Sequence, residues 1–276
     1  MEVSRSAHER RGTAFDPDRI AALRATSANE GAEAANADVV IDLRDDNPIL
    51  HHTVPSGRPL SLEPGQSLVT ITGGDLWMQA EAFVYDVYVR IGYTRPNSRK
   101  QVEELARWAD DSRFHAVVTD DGDIVGTIRT IYGAYQSLPI GQFERLDDTD
   151  PDPVCELSSL VVDPAQRSTG VIEHLYRAGW LDAWRSRSHA AVALIDDWLL
   201  DVFQGTYHLP FRRIGVEREY MGTVPIPVAL PLDGDAYRSL AASNPEFWAW
   251  TLEAIDPDEV VDWELPHPTP QGVAPA

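Results

Sequence analysis

The sequence predicts a mixed α/β fold. Three observations carry this. Apolar runs of strand length alternate with segments of helical period between residues 67 and 232. Two apolar runs, 114–119 and 124–131, are joined by Asp120-Asp121-Gly122-Asp123, the chemistry of a hairpin turn. An apolar strand at 154–162 then passes through Asp163-Pro164 and a short polar loop into a helix at 171–187.

The elements follow in order. Residues 1–36 are rich in Ala, Arg and Glu without a sustained apolar face, and read as a flexible arm with some helix around 17–25. Residues 39–43 form a short apolar run, 45–64 a Pro-rich polar loop and 67–72 a strand. Phe83, Val84, Val87, Tyr88 and Ile91 have helical spacing, which predicts a helix over 75–91 with Asp75 as N-cap and Gly92 as stop. A second helix is expected at 99–109, before the hairpin. Residues 139–153 form a long acidic loop of the length that often carries function. After the helix at 171–187 come a buried strand at 190–195, a short helix at 198–204 and strands at 211–220 and 224–232. Pro225, Pro227 and Pro231 restrict the last of these to an edge or bulged position. Residues 236–255 read as terminal helix broken at Asn244-Pro245, and 264–276 as a tail.

Composition limits the function classes. The net charge of −21 argues against nucleic-acid binding. The single cysteine, Cys155, excludes a disulfide framework and a Cys-rich metal site, and it reads as a buried structural thiol. No run approaches the roughly 20 apolar residues of a membrane span, and no apolar segment follows Arg10-Arg11, so the expected location is the cytoplasm. His51-His52 lacks a following Asp at position 56, where Ser stands, and there is no Gly-x-Ser-x-Gly elbow or His/Cys metal spacing.

The unit at 154–180 is the most informative stretch. Gln166, Arg167, Ser168, Thr169 and Gly170 precede a helix N-terminus, where unpaired N–H groups and the helix dipole favour phosphate. Glu156 on the preceding strand is a candidate general base. Strand alternation places Glu156, Ser158, Leu160 and Val162 on one face. A polyanionic ligand on so acidic a chain requires a local positive patch, for which Arg167, Arg177, Arg185 and Arg187 are candidates.

This stretch resembles the acyl-thioester-binding core of the GCN5-related N-acetyltransferase superfamily, whose loop reads Arg-x-x-Gly-x-Gly/Ala. Arg167 and Gly170 match; Ile172 replaces the last small residue. Further motifs narrow the resemblance to N-acyl amino acid synthases and the related acyl-homoserine-lactone synthases. They are Val125-Gly126-Thr127-Ile128-Arg129, the strand Glu156-Leu157-Ser158-Ser159-Leu160-Val161-Val162, the segment 83–93, Phe211 to Gly215 and Gly222 to Pro227. Ser159 stands where the lactone synthases carry Arg, and Phe211 where acetyltransferases often carry a Tyr acid. The resemblance implies a mixed, splayed central sheet flanked by helices over residues 37–232, with residues 233–276 as a C-terminal helical extension and tail.

It also implies a function: transfer of an acyl group, fatty in the N-acyl amino acid synthases, from acyl-CoA or acyl-phosphopantetheine on an acyl carrier protein to an amino acid or related amine in secondary metabolism, without a metal. Glu156 is then the base and Tyr207 a substitute acid. Gln166 to Gly170, with the backbone of Leu160 and Val162, hold the donor. Arg129, Ser158 and Asp196 meet the acceptor, Arg129 through a carboxylate. Asp196 also reads as an N-cap for the next helix. A short-chain acetyltransferase tailoring a small molecule and a catalytically silent binding protein are the alternatives.

Overall fold

A computed structural model describes residues 61–147, 152–166, 169–262 and 265–266. All lie in the compact unit Asn47–Ala276. The expected arm at 1–36, the run at 39–43, His51-His52 and the tail fall outside the described residues, apart from residues 265–266.

Seven strands form one sheet: β1 (Gln66–Ile71), β2 (Ser112–Thr119), β3 (Ile124–Gly133), β4 (Val154–Val162), β5 (Ala190–Ile195), β6 (Arg212–Arg213) and β7 (Ile226–Pro231), in spatial order β1-β2-β3-β4-β5-β7-β6. The β4–β5 pair is parallel; every other pair is antiparallel. The helices are α1 (Gly74–Arg90), α2 (Glu103–Ala106), α3 (Val171–Arg185), α4 (Asp197–Gly205), α5 (Gly234–Ser243), α6 (Pro245–Leu252) and α7 (Pro257–Asp262).

One core covers each face. Trp77, Val84 and Tyr85 of α1 pack with Phe114, Ile131, Val154 and Val192. On the other face Val171, Leu175, Trp180 and Trp184 of α3 pack with Val125, Ile128, Cys155 and Ala191, and the aromatics of α5 and α6 close over them. Gly126 is needed there: a Cβ would lie 2.7 Å from Val171 and 3.0 Å from Leu175.

Several expectations are corrected. The second helix is only Glu103–Ala106, because the Asn97 side chain accepts from the backbone N–H of Arg99 (3.1 Å) and Gln101 (3.4 Å) and holds that stretch as a turn. The strand expected at 211–220 shrinks to Arg212–Arg213 plus isolated bridges at Arg145–Gly215 and Tyr220–Thr223. β7 lies inside the sheet, between β5 and β6. Its prolines are tolerated because β6 pairs only with Ala229 and Val228, leaving Pro227 and Pro231 outside that pairing. The break at Asn244-Pro245 is as expected, with Asn244 capping α6 through Phe247 N–H at 3.3 Å.

Two features of β4 prepare a site. It pairs with β5 only at Val154, Cys155 and Glu156, so the two strands part beyond Glu156 and leave that edge of β4 without a strand partner. The β3–β4 ladder also shifts: Arg129 faces Ser158, but Thr127 faces Val161, which puts one extra residue in β4. Ser159 takes up the bulge with φ of +48°. The bulge flips the alternation beyond it. Val161 joins Val154 on the α1 face, while Leu160 and Val162 pack on the α3 face. Leu160 and Val162 therefore do not share the face of Glu156.

A candidate acyl-transfer site at the splayed strands

The chain path fixes where the gap opens. β4 and β5 run parallel, so they part at their carboxyl ends, where ligands of open α/β sheets bind. α1 runs back from the end of β1 and finishes at this end on one face; α3 begins at the same end on the other.

On the α1 face stands Glu156, 1 % exposed. One carboxylate oxygen accepts from Ile140 N–H at 2.8 Å, and burial pushes the carboxyl up to about 8. That donor comes from the tight turn Pro139–Gln142, within the loop expected to be functional. A carboxyl poised near neutral pH, with one hydrogen bond, suits proton abstraction.

Arg129 shares this face at 2 % exposure. Its Nε donates to Ser112 Oγ at 2.9 Å, and its guanidinium carbon lies 5.3 Å from the ring centres of both Trp77 and Phe114. Its Nη2 has no hydrogen-bond partner among the described residues. Burial lowers its pKa to about 10. Among the described residues no carboxylate pairs with it directly, Glu81 acting only through its field; such a buried guanidinium is costly, and an anion entering the site would offset that cost. Ser158 sits opposite Arg129 in the ladder, half-buried.

Asp196 directly follows β5, on the same side. Its carboxylate does not cap α4; it accepts from Tyr93 and from Thr223 Oγ1 (2.8 Å), while its backbone carbonyl accepts from Leu199 and Leu200. Tyr88 packs edge-on against Tyr93, with centroids 5.3 Å apart. The Tyr88 hydroxyl faces Ser159 within the fields of Asp196 and Arg129, and burial raises it to about 12. Tyr220 lies in the field of Glu156 and is likewise raised to about 12 by burial. The structure thus brings Glu156, Arg129, Ser158 and Asp196 to one face. It adds Ile140, Tyr88, Tyr93, Ser159 and Tyr220, which sequence reasoning did not assign. The resemblance across 83–93 and the long loop at 139–153 mark where most of these lie.

Tyr207 is not brought to this site. It belongs to the core on the α3 face, fully buried, and donates to Glu173 Oε1 at 2.8 Å. Burial, together with Tyr176 and Glu173, holds its hydroxyl far above the ordinary tyrosine range.

At the start of α3, Arg167 and Ser168 lie outside the described residues. Gln166 accepts from Gln66 (2.9 Å), and its carbonyl accepts from Thr169 Oγ1 (2.7 Å). Gly170 enters the helix with φ of +77°, and no side chain caps the N-terminus. Among the described residues the first-turn amides have no side-chain acceptor, a geometry that fits a phosphate. The expected positive patch is corrected at two members. Arg177 stacks on Trp250 at 3.9 Å and donates to its carbonyl at 2.9 Å, and Arg185 pairs with Glu259 at 3.1 Å. Among the described residues no cluster of three or more His, Cys, Asp or Glu is arranged for a metal, and no helix is long and apolar enough to cross a membrane.

No curated protein sequence matches the chain. The structure is similar to that of a CoA-dependent acyl-homoserine lactone synthase, BjaI, at 15 % identity and a TM-score of 0.52, covering 64 % of this chain and 89 % of that one. It is equally similar to the acyl-homoserine lactone synthase LasI, at 11 % identity and a TM-score of 0.52, covering 64 % and 95 %. The N-acyl amino acid synthase FeeM from uncultured soil microbes aligns at 18 % identity and a TM-score of 0.49, covering 70 % and 98 %. The likenesses to BjaI and LasI concern the fold, the splayed mixed sheet. Residues 79–230, more than half of the chain and spanning α1 to β7, match the family model of the N-acyl amino acid synthase FeeM, and the chain belongs to that family of N-acyltransferases.

Proposed function

We propose that this enzyme transfers a fatty acyl group from a thioester, on coenzyme A or an acyl carrier protein, to the amine of an amino acid. The observation that carries the reading is one face of one gap holding both a buried carboxyl near neutral pKa and a buried cation with an open donor. Family membership supports an amino-acid acceptor. The CoA dependence of the structurally similar BjaI supports a thioester donor.

The donor's phosphate sits at the start of α3, with Gln166, Arg167, Ser168, Thr169 and Gly170, and its arm threads the gap beyond Glu156 toward the α1 face. The open edge of β4, which includes Leu160 and Val162, bonds that arm through backbone groups. Arg129 takes the acceptor's carboxylate, and Ser158 and Asp196 flank the amine. The neutral amine attacks the thioester carbonyl, Glu156 accepts the proton released from nitrogen, and the C–S bond breaks to give the amide and a thiol. The C–S electrons leave on sulfur, which takes up a proton.

The test is mass-spectrometric detection of amide products from acetyl- to palmitoyl-CoA and from acyl-loaded carrier protein, each with pooled amino acids. Long-chain N-acyl amino acids from the wild type, lost in Glu156→Gln, are expected. Acetylated products alone, or none from either donor, would contradict the reading.

A further inference from the structure

Ser159 combines three unusual features. It lies in the middle of a strand with φ of +48°, a region that disfavours residues other than glycine. It is 3 % exposed, yet its Oγ has no hydrogen-bond partner among the described residues. It stands three residues past Glu156, where β4 has already left β5 and where the β3–β4 ladder slips. Each feature costs free energy locally, and all coincide at the gap. The peptide is held in this pose: Thr127 Oγ1 donates to the Ser159 carbonyl at 3.1 Å. The Tyr88 hydroxyl is the polar group facing the side chain.

We infer that the Ser159 hydroxyl is a side-chain donor to the oxyanion that forms when the amine attacks the thioester. The inference rests on the acyl-transfer reading above and adds a catalytic residue to it. A hydroxyl fixed before the reaction, in a site closed to water, stabilises charge that appears only in the transition state. The left-handed backbone is what aims it. With ordinary strand dihedrals the ladder would stay in register and residue 159 would face α3, opposite Glu156.

Ser159→Gly separates this role from a structural one. Glycine accepts the left-handed conformation and removes only the hydroxyl, so the melting temperature stays at or above that of the wild type. Loss of one oxyanion donor lowers kcat by roughly 100-fold, with KM values within about 3-fold. Two inert donor analogues complete the test: a palmitoyl-pantetheine analogue with a difluoromethylene ketone between the alkyl chain and the pantetheine thioether, which hydrates to a tetrahedral mimic of the oxyanion intermediate, and the methylene thioether, which has no carbonyl. Ser159→Gly weakens the ketone by a comparable factor of roughly 100 and the thioether by no more than about 2-fold. A Ser159→Gly enzyme with wild-type kcat, or equal weakening of both analogues, overturns the inference while leaving acyl transfer intact. Failure of the wild type to bind either analogue overturns the acyl-transfer reading, and this inference with it.

Discussion

On the α3 face of the sheet, buried charge is met within the chain. Glu173 accepts from Tyr207, Arg177 lies on Trp250 and bonds its carbonyl, and Asp182 accepts from Tyr132 and His115 and pairs with Arg113 at 3.4 Å. Among the described residues, the hydroxyls of Thr130, Tyr176 and Tyr237 lie buried there without a hydrogen-bond partner, and all three are uncharged. On the α1 face, Arg129 keeps a guanidinium nitrogen open, Glu156 has one backbone donor, and Ser159 holds an open hydroxyl on a left-handed backbone. The same strand, β4, serves both faces. The difference teaches where the chain places its costs: aromatic packing behind the sheet holds an open cation, a raised carboxyl and a left-handed serine in front of it.

Four substitutions test that division, from the largest expected effect to the smallest. Glu156→Gln lowers kcat by about 10²–10⁴-fold, the range of a positioned acid–base group, read from initial rates at saturating donor. The same variant reports on stability. The carboxyl titrates near 4.5 unfolded and about 8 folded, so between those values the native state holds a proton that the unfolded state lacks. Stability therefore falls as pH rises through that window, and denaturant midpoints of Glu156→Gln lack the fall.

Trp248→Ala acts on the other face. Trp248 is fully buried, stacks on Tyr237 and bonds the Pro266 carbonyl at 2.7 Å. Its truncation costs about 3–5 kcal/mol in urea unfolding. The pH profile of the enzyme that remains folded is unchanged.

Arg129→Met raises KM for the acceptor by roughly 10–100-fold, the loss of a charge-assisted contact, and leaves stability equal or higher because a buried cation with an open donor is removed. An unchanged acceptor KM would remove Arg129 from the site. Tyr207→Phe is the smallest: about 1–3 kcal/mol of stability from one buried hydrogen bond to Glu173, with kcat within about 2-fold. A large kcat loss there would restore Tyr207 as an acid and break the contrast between the faces.

Much of this was legible in the sequence. The strand 190–195 and the strand 154–162 stand where apolar runs placed them, and the Asp-Asp-Gly-Asp turn gives the β2–β3 hairpin. Glu156, Arg129, Ser158 and Asp196 come to one face because Arg129 and Ser158 are direct cross-strand neighbours and Glu156 lies two residues before Ser158. The bulge was not legible: no Gly, Pro or Asn marks position 159, and strict alternation misplaced Leu160 and Val162. Tyr207 misled because its partner, Glu173, lies 34 residues away. Neither local composition nor strand period encodes such a contact.

The central claim, that acyl transfer runs on the α1 face with Glu156 as base, is tested most directly by the pH dependence of the single-turnover rate of amide formation in wild type and Glu156→Gln. The account predicts a wild-type rate that rises with an apparent pKa near 8, and a variant rate that is depressed and lacks that step. A variant with the wild-type rate and the same pH profile would contradict it.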